Sequence, residues 1–376
     1  MKKNYISALA VLACVAVFCT ISGNSFHQMR TATEEIIPGE GVTEVRMLSD
    51  YFPDLAGTAG DTQIYVLQGE QEGGSCLILG GTHANELGGH MGAVLFVENA
   101  KVEAGTLYVI PRTNNSAFTH NDPQEGHPST VHITTDEGNV REFIHGSRAT
   151  NPVDQWPDPD VYVNYMGQSL SGSENRNINR TYPGKADGTL TEMMSYGIVQ
   201  LINTEDIDVT VDLHEASPEY PVINALIAHE RAMNLASNVV VDMQMEGVQI
   251  SLEPSPTDLR GLTHRELGDH TDTLALLMEA PNPAQGRLRD RTDEALVLTG
   301  KSETYVKAGE IGQLYVPYDE NGWPIEVRCA RHVFGIERIL ANYSEMYEEP
   351  IIVTGMPSYD ELVKNGMGPY LNEPTT

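Results

Sequence analysis

The segment Gly80-Gly81-Thr82-His83-Ala84-Asn85-Glu86-Leu87-Gly88-Gly89 places an imidazole and a carboxylate three residues apart, directly after a short apolar run. Imidazole nitrogen and carboxylate oxygen are typical zinc ligands, and this spacing lets both reach one ion. Of the 12 histidines in the chain, His83 is the one followed by Glu at that spacing. A second apolar run, Ile207 to Leu213, ends in His214. Two histidines and one carboxylate leave a fourth coordination position open, the arrangement that catalytic zinc requires. Asp212, two residues before His214, points to the same side of an extended strand and can act as a partner that holds the imidazole. Glu215 is the rival ligand, but it points away from His214 on a continued strand. A third apolar run, Thr273 to Met278, ends in Glu279, a carboxylate placed to take a proton from an attacking water beside a metal. The stretch Asn175-Arg176-Asn177-Ile178-Asn179-Arg180 offers guanidinium forks, which bind a carboxylate through two parallel hydrogen bonds, and neighbouring amide donors. Asn179, Arg180 and Arg176 are therefore the candidates for binding a substrate carboxylate.

These residues need elements that bring them to one place. Thr62 to Gln68 alternates and is rich in β-branched residues, and Cys76 to Leu79 reads as a buried strand. Gly88 to Asn99 has helical spacing, and Thr106 to Ile110 is a strand closed by Pro111. Further on, the pattern predicts helices over 191–203, 231–246 and 327–346, with strands over 207–213, 222–228 and 273–278. Strands alternating with helices imply an α/β sheet with helices on both faces. In such a sheet, ligands bind beyond the carboxyl ends of the strands, where His83 and His214 fall. Residues from about 112 to 178 are rich in Asn, Pro, Ser, Asp and His with little periodicity. A loop of that length is functional or disordered, and Trp156, Tyr162 and Tyr165 favour a packed, functional insertion.

The 376-residue chain carries 53 Asp and Glu against 23 Lys and Arg, a formal net charge of −30. That balance excludes nucleic acid as a partner and excludes a basic surface held on anionic lipid. A hydrophobic fraction of 40% excludes an intrinsically disordered chain. Lys2-Lys3 followed by apolar residues from Tyr5 to about Ile21 is an export signal or an uncleaved membrane anchor, with the remainder outside the cytoplasm. Cys14 and Cys19 lie in that segment. Cys76 reads as a small buried hydrophobe, and Cys76 and Cys329 alone make no disulfide framework. The expected organisation is a signal peptide or anchor over 1–23 and a linker over 24–44. One catalytic domain over 45–350 and a peripheral tail over 351–376 follow.

Together these motifs resemble, in residues and order, the zinc carboxypeptidase-like hydrolases, and more specifically the succinylglutamate desuccinylase/aspartoacylase family. Gly80 to Glu86 looks like that family's first metal motif, with Ala84 where many relatives have Gly. Asn179-Arg180-Thr181-Tyr182-Pro183-Gly184 resembles its Asn-Arg-x-Phe-Pro-Gly motif, with Tyr182 in place of Phe, and Asp212-Leu213-His214 matches its Asp-Leu-His. The resemblance covers roughly residues 75 to 285. It implies a mixed central sheet with helices on both faces and one Zn²⁺ held by His83, Glu86 and His214. It further implies a substrate carboxylate on Asn179 and Arg180, and Glu279 as general base. Family members also use an upstream Arg to stabilise the oxyanion; Arg112, Arg148 and Arg176 are candidates here, with Arg148 first. The implied substrate is an N-acyl amino acid whose amide is hydrolysed. Alternatives are an exported metallocarboxypeptidase acting on peptides or cell-wall stems, and a non-catalytic binding protein that kept the fold. A serine hydrolase is disfavoured by the absence of a Gly-x-Ser-x-Gly elbow.

Overall fold

The computed structural model describes residues 2–122, 127–289 and 291–374. In chain order, helix α1 (Lys2–Thr31) precedes strands β1 (Glu44–Met47), β2 (Gln63–Gln68) and β3 (Gln71–Leu79). Helix α2 (Leu87–Asn99) leads into β4 (Lys101–Ile110), and the two hairpins β5 (Thr130–Thr134) with β6 (Val140–Ile144) and β7 (Val161–Val163) with β8 (Ser169–Ser171) follow. Then come α3 (Leu190–Glu205), β9 (Val209–Ala216), β10 (Ala225–Ala228), α4 (Met233–Met245), β11 (Ser251–Pro254), α5 (Thr263–His270) and β12 (Leu274–Pro281). Helices α6 (Glu294–Thr299), α7 (Glu303–Glu310) and α8 (Ile325–Tyr347), strand β13 (Ile352–Thr354) and α9 (Tyr359–Asn365) complete the chain.

Among the described residues, the main sheet has nine strands in the order β1-β2-β4-β3-β9-β12-β10-β11, with β13 added against β4. It is mixed: β4, β3, β9 and β12 run parallel, while β2 and β10 are antiparallel to their neighbours β4 and β12. Strand alternation divides the sheet into two faces. Val209, Val211 and Leu213 of β9 and Leu276 and Met278 of β12 belong to the larger core, with apolar residues of α2, α4 and α8. On the opposite face, Leu77 and Leu79 of β3 pack with Met194, Ile198 and Leu201 of α3. Asp212, His214, Leu277 and Glu279 alternate with the first set and therefore emerge on this second face, at the carboxyl ends of β9 and β12. The α/β expectation, with a mixed sheet and helices on both faces, describes the fold.

Several boundaries differ from those read in the sequence. The segment expected to be a linker continues α1 to Thr31 and then docks into the domain. Glu34 is buried against His90 (2.6 Å), and Arg141 donates to the Glu35 carbonyl while also pairing with Glu98 (2.7 Å). The segment expected to be a peripheral tail is integral. β13 extends the sheet, and Leu362, Met367 and Leu371 are buried in the larger core. Neither segment has a long apolar run, because each is held by a few buried side chains and backbone pairing rather than by an amphipathic face. In the insertion, Tyr162 is buried and its hydroxyl donates to Glu192, whereas Trp156 and Tyr165 are exposed. Cys76 is fully buried in β3, as expected of a small hydrophobe.

Candidate active site

The three candidate metal ligands come from three different elements. His83 sits in the loop after β3, where Gly81 adopts φ +61°, a left-handed conformation that suits glycine. Glu86 stands at the N-terminus of α2. That helix approaches β9 very closely: a Cβ on Gly89 would lie 2.3 Å from the Leu213 carbonyl oxygen, and one on Gly88 2.3 Å from Glu215 Oε1. The two glycines following Glu86 thus let the carboxylate reach His214. Ligand atoms of His83, Glu86 and His214 all lie within 4.8 Å of one another, and all three residues are buried. Glu86 Oε1 is 2.7 Å from His83 Nδ1, and Oε2 is 2.9 Å from His214 Nδ1.

A surrounding layer of hydrogen bonds fixes these rings. His214 Nε2 lies 2.7 Å from Asp212 Oδ2, and Thr82 Oγ1 donates to Asp212 Oδ1 (2.6 Å). His83 Nε2 lies 3.0 Å from Asn177 Oδ1. Each imidazole is thereby oriented through Nε2 and turns Nδ1 toward Glu86; a partner on the far nitrogen fixes the ring and makes imidazole a good metal ligand. Thr263 ties the two halves of the site together, since its hydroxyl contacts both Asp212 and Asn179. Glu215 is not a ligand in this arrangement. Its side chain forms a fully buried pair with Arg328 (2.7 Å) and accepts from Asn282, while its backbone N–H donates to Glu86 Oε2.

The electrostatics suit a cation. Against burial, which favours its neutral form, Glu86 is held well below the usual carboxylate range by His83 and His214. His214, set between Asp212 and Glu86, is raised well above the usual imidazole range despite its burial. His83 is pushed down to about 4 by burial and by Arg148. The cluster thus gathers carboxylate charge around His214, where a divalent ion would take the place of an imidazole proton. Clustered Nδ1 and carboxylate donors of this kind fit zinc.

Glu279 pairs in register with His214 across the parallel β12 and β9. It is buried, its Oε2 has no hydrogen-bond partner, and burial pushes its carboxyl up to about 8. A buried, unpartnered carboxylate beside a ligand cluster is placed for proton transfer. Both Glu279 and the ligand cluster line a cavity of about 400 Å³ together with Arg148, Asn179 and Arg180. Arg148 Nη1 lies 3.5 Å from Glu86 Oε1. Asn179 Oδ1 accepts from the Thr263 N–H and hydroxyl, which leaves its amide nitrogen available to a ligand. Arg180 donates to the Asn179 carbonyl (2.6 Å).

Arg176, expected to bind substrate, does not line the cavity. It is held in a bidentate pair with Asp158 (2.7 and 2.9 Å) and donates to the Thr150 carbonyl, so it braces the insertion instead. Arg112 is buried over the Phe118 ring, away from the cavity lining. Sequence reasoning missed the positioning roles of Asn177, Thr82 and Thr263, although Asn177 and Thr82 lie inside motifs already singled out. It also missed Tyr220, a half-exposed residue in the cavity wall. His264 lines the cavity, pushed down to about 3 by burial, whereas His270 lies 3.3 Å from Glu266.

No family profile matches the chain, and no curated protein matches it. Among solved structures, it is similar to a succinylglutamate desuccinylase from a Silicibacter species, with a TM-score of 0.42 and 16% identity over 76% of this chain and 61% of that one. It is also similar to the product-bound ectoine utilization protein from Ruegeria pomeroyi, with a TM-score of 0.41 and 16% identity over 74% and 60%. A metallo-carboxypeptidase from Burkholderia cenocepacia gives a TM-score of 0.45 and 11% identity over 85% and 68%. The chain spans about three fifths of the length of the first two.

Proposed function

We propose that this protein is a zinc-dependent hydrolase of the succinylglutamate desuccinylase/aspartoacylase kind, cleaving an amide bond in a substrate that carries a carboxylate. The observation that carries this reading is the convergence of His83, Glu86 and His214 within 4.8 Å, with the unpartnered Glu279 carboxylate on the adjoining strand. His83, Glu86 and His214 would hold one Zn²⁺, which when bound lowers the pKa of water and polarises a carbonyl oxygen. Glu279 removes a proton from the attacking water and returns it to the leaving nitrogen, so that amide and water become acid and amine. Arg148, beside Glu86 at the cavity wall, donates to the oxyanion. Arg180, with the free amide nitrogen of Asn179, holds the substrate carboxylate.

A second reading is a carboxypeptidase acting on short peptides. It is favoured by the cavity's extension beyond Arg180 and Glu279, over Val222, Ile227 and Leu277, which admits an amino-acid side chain. Hydrolysis of N-acyl amino acids set against peptides with free C-termini separates the two. We further infer that the chain is exported and held at a membrane by α1, whose segment Asn4–Thr31 is long and apolar enough to cross one. Glu279→Gln should reduce kcat at least about a thousandfold while retaining stoichiometric zinc by elemental analysis. Wild-type turnover in that variant would overturn the assignment.

A further inference from the structure

Asp212, Leu277, Ile227 and Glu253 are paired in one row across β9, β12, β10 and β11. Directly paired residues present their side chains to one face of a sheet. This row therefore lies on the face that carries the candidate site, next to the row of His214, Glu279 and Ala225. Leu277 and Ile227 are buried and make an apolar floor with Ala225 and Val222, and Leu259 and Leu262 add apolar wall.

The far end of the floor is different in character. Glu253 lines the cavity and has no cationic partner among the described residues. His264 lines it too, with Nδ1 2.8 Å from Ser255 Oγ and no partner for Nε2 among the described residues. In the tautomer whose Nδ1 donates to Ser255, Nε2 presents a lone pair. Both groups are then acceptors at the end of an apolar trough. An aliphatic side chain lying there would cover these acceptors without satisfying them, which costs binding energy. A side chain ending in a cation satisfies both. Strands lie about 4.8 Å apart, so Glu253 stands roughly 10 Å across the sheet from Leu277. A four-carbon stem reaching out and a glutamate side chain reaching back span that gap. Arg148 and Arg180, the cavity's own cations, sit beside Glu86 and Asn179; the Arg180 charge still reaches His264, which makes Glu253 the principal acceptor for a cation.

We propose that this trough is a subsite for a basic, aliphatic-stemmed side chain of the lysine, ornithine or arginine type on the amine half of the substrate. Leu277 and Ile227 receive the stem, and Glu253 and His264 receive the cation. The inference rests on the hydrolase reading only in taking the amine half to lie between Arg180 and Glu279.

Two measurements on the full chain in detergent micelles test it. In the zinc-loaded protein, kcat/KM is compared for N-acyl-lysine, N-acyl-norleucine and N-acyl-glutamate, the first two being matched in stem. The lysine compound should lead by at least about tenfold, and Glu253→Gln should cut that ratio to within about threefold. In the metal-free protein, calorimetric binding of N-acetyl-lysine against N-acetyl-norleucine reads the same preference without turnover. If nothing is hydrolysed but lysine binding is preferred and depends on Glu253, the subsite stands and the hydrolase reading falls. If norleucine equals or exceeds lysine in both assays, or if the lysine preference survives Glu253→Gln unchanged, the subsite is overturned.

Discussion

Glu279 stands opposite His214 on a neighbouring parallel strand, buried, with one carboxylate oxygen lacking any partner. An ionised carboxylate in that position is uncomfortable until a cation arrives, and the consequence is measurable in stability. Its folded-state value is raised from 4.5 to about 8, so the stabilising contribution of the protonated form is complete below about pH 4.5 and is lost as pH rises through 8. The metal-free protein should therefore lose stability between about pH 4.5 and 8, by an amount on the order of a few kcal/mol. Glu279→Gln, neutral throughout, should remove that part of the slope. Its melting temperature should match wild type near pH 4.5 and exceed it at pH 9, and saturating zinc should shrink the difference. Equal slopes in the two metal-free proteins would show that Glu279 is ionised in the fold at ordinary pH. At this scale the sequence was already informative about types: Asp212 was expected on the His214 side and holds its imidazole. It was misleading about Arg176, because a guanidinium beside a motif has no fixed direction until Asp158, 18 residues away, captures it.

Helix α2 illustrates what an element contributes. Its apolar residues are spread around the whole helix and nearly all of its residues are buried, so its placement is set by close approach rather than by an amphipathic stripe. The Gly88-Gly89 step is what lets Glu86 lie between two imidazoles while Glu215 and Arg328 pair directly behind it. Gly88→Ala should push the new Cβ into Glu215 Oε1, disturb that buried pair and destabilise the protein by about 1–3 kcal/mol in urea unfolding. Weakened zinc retention should accompany the loss, because the Glu215 N–H also positions Glu86. An unchanged denaturation midpoint would mean that α2 can shift freely against β9. Strand and helix positions were legible from periodicity, since the apolar runs at 76–79 in β3 and 274–278 in β12, and the alternating apolar residues of β9, each lead into polar chemistry. Short elements such as β11 and β13 were not: four- and three-residue strands carry too little pattern, and their pairing is a tertiary event.

For the molecule as a whole, the net charge of −30 makes the cavity's Arg148, Arg180 and ligand cluster a local exception to an acidic exterior. A substrate bearing a cation as well as a carboxylate meets that field with less repulsion than a purely anionic one, within a screening distance of about 8 Å at physiological salt. The N-terminal segment divides into two physical parts. α1 is exposed and apolar along most of its length, whereas Glu34 is buried against His90 and held below the usual carboxylate range by the His90 charge, against a burial that favours its neutral form. Removing residues 2–24 should release the protein from membranes and leave its melting temperature within a few degrees of the full chain. Removing residues 2–37 should lower it clearly, because His90 loses its buried hydrogen-bond partner and Arg112 a nearby carboxylate. Membrane fractionation and thermal melts of the two truncations read both expectations; equal melting temperatures would show that Glu34 contributes nothing to the fold.

By itself the sequence determined the α/β alternation, the order of His83, Glu86, His214 and Glu279 along it, and the place of the two histidines and Glu279 at or just beyond strand ends, because hydrophobic periodicity and ligand chemistry are local properties. The tertiary structure alone decided that Asn177 meets His83, that Thr82 and Thr263 meet Asp212, that Arg176 pairs with Asp158, and that Glu253 and His264 line one cavity with Glu279. Those relations join residues far apart in the chain, and they are set by strand register and by which buried charge captures which partner. Neither is written in any window of sequence short enough to read.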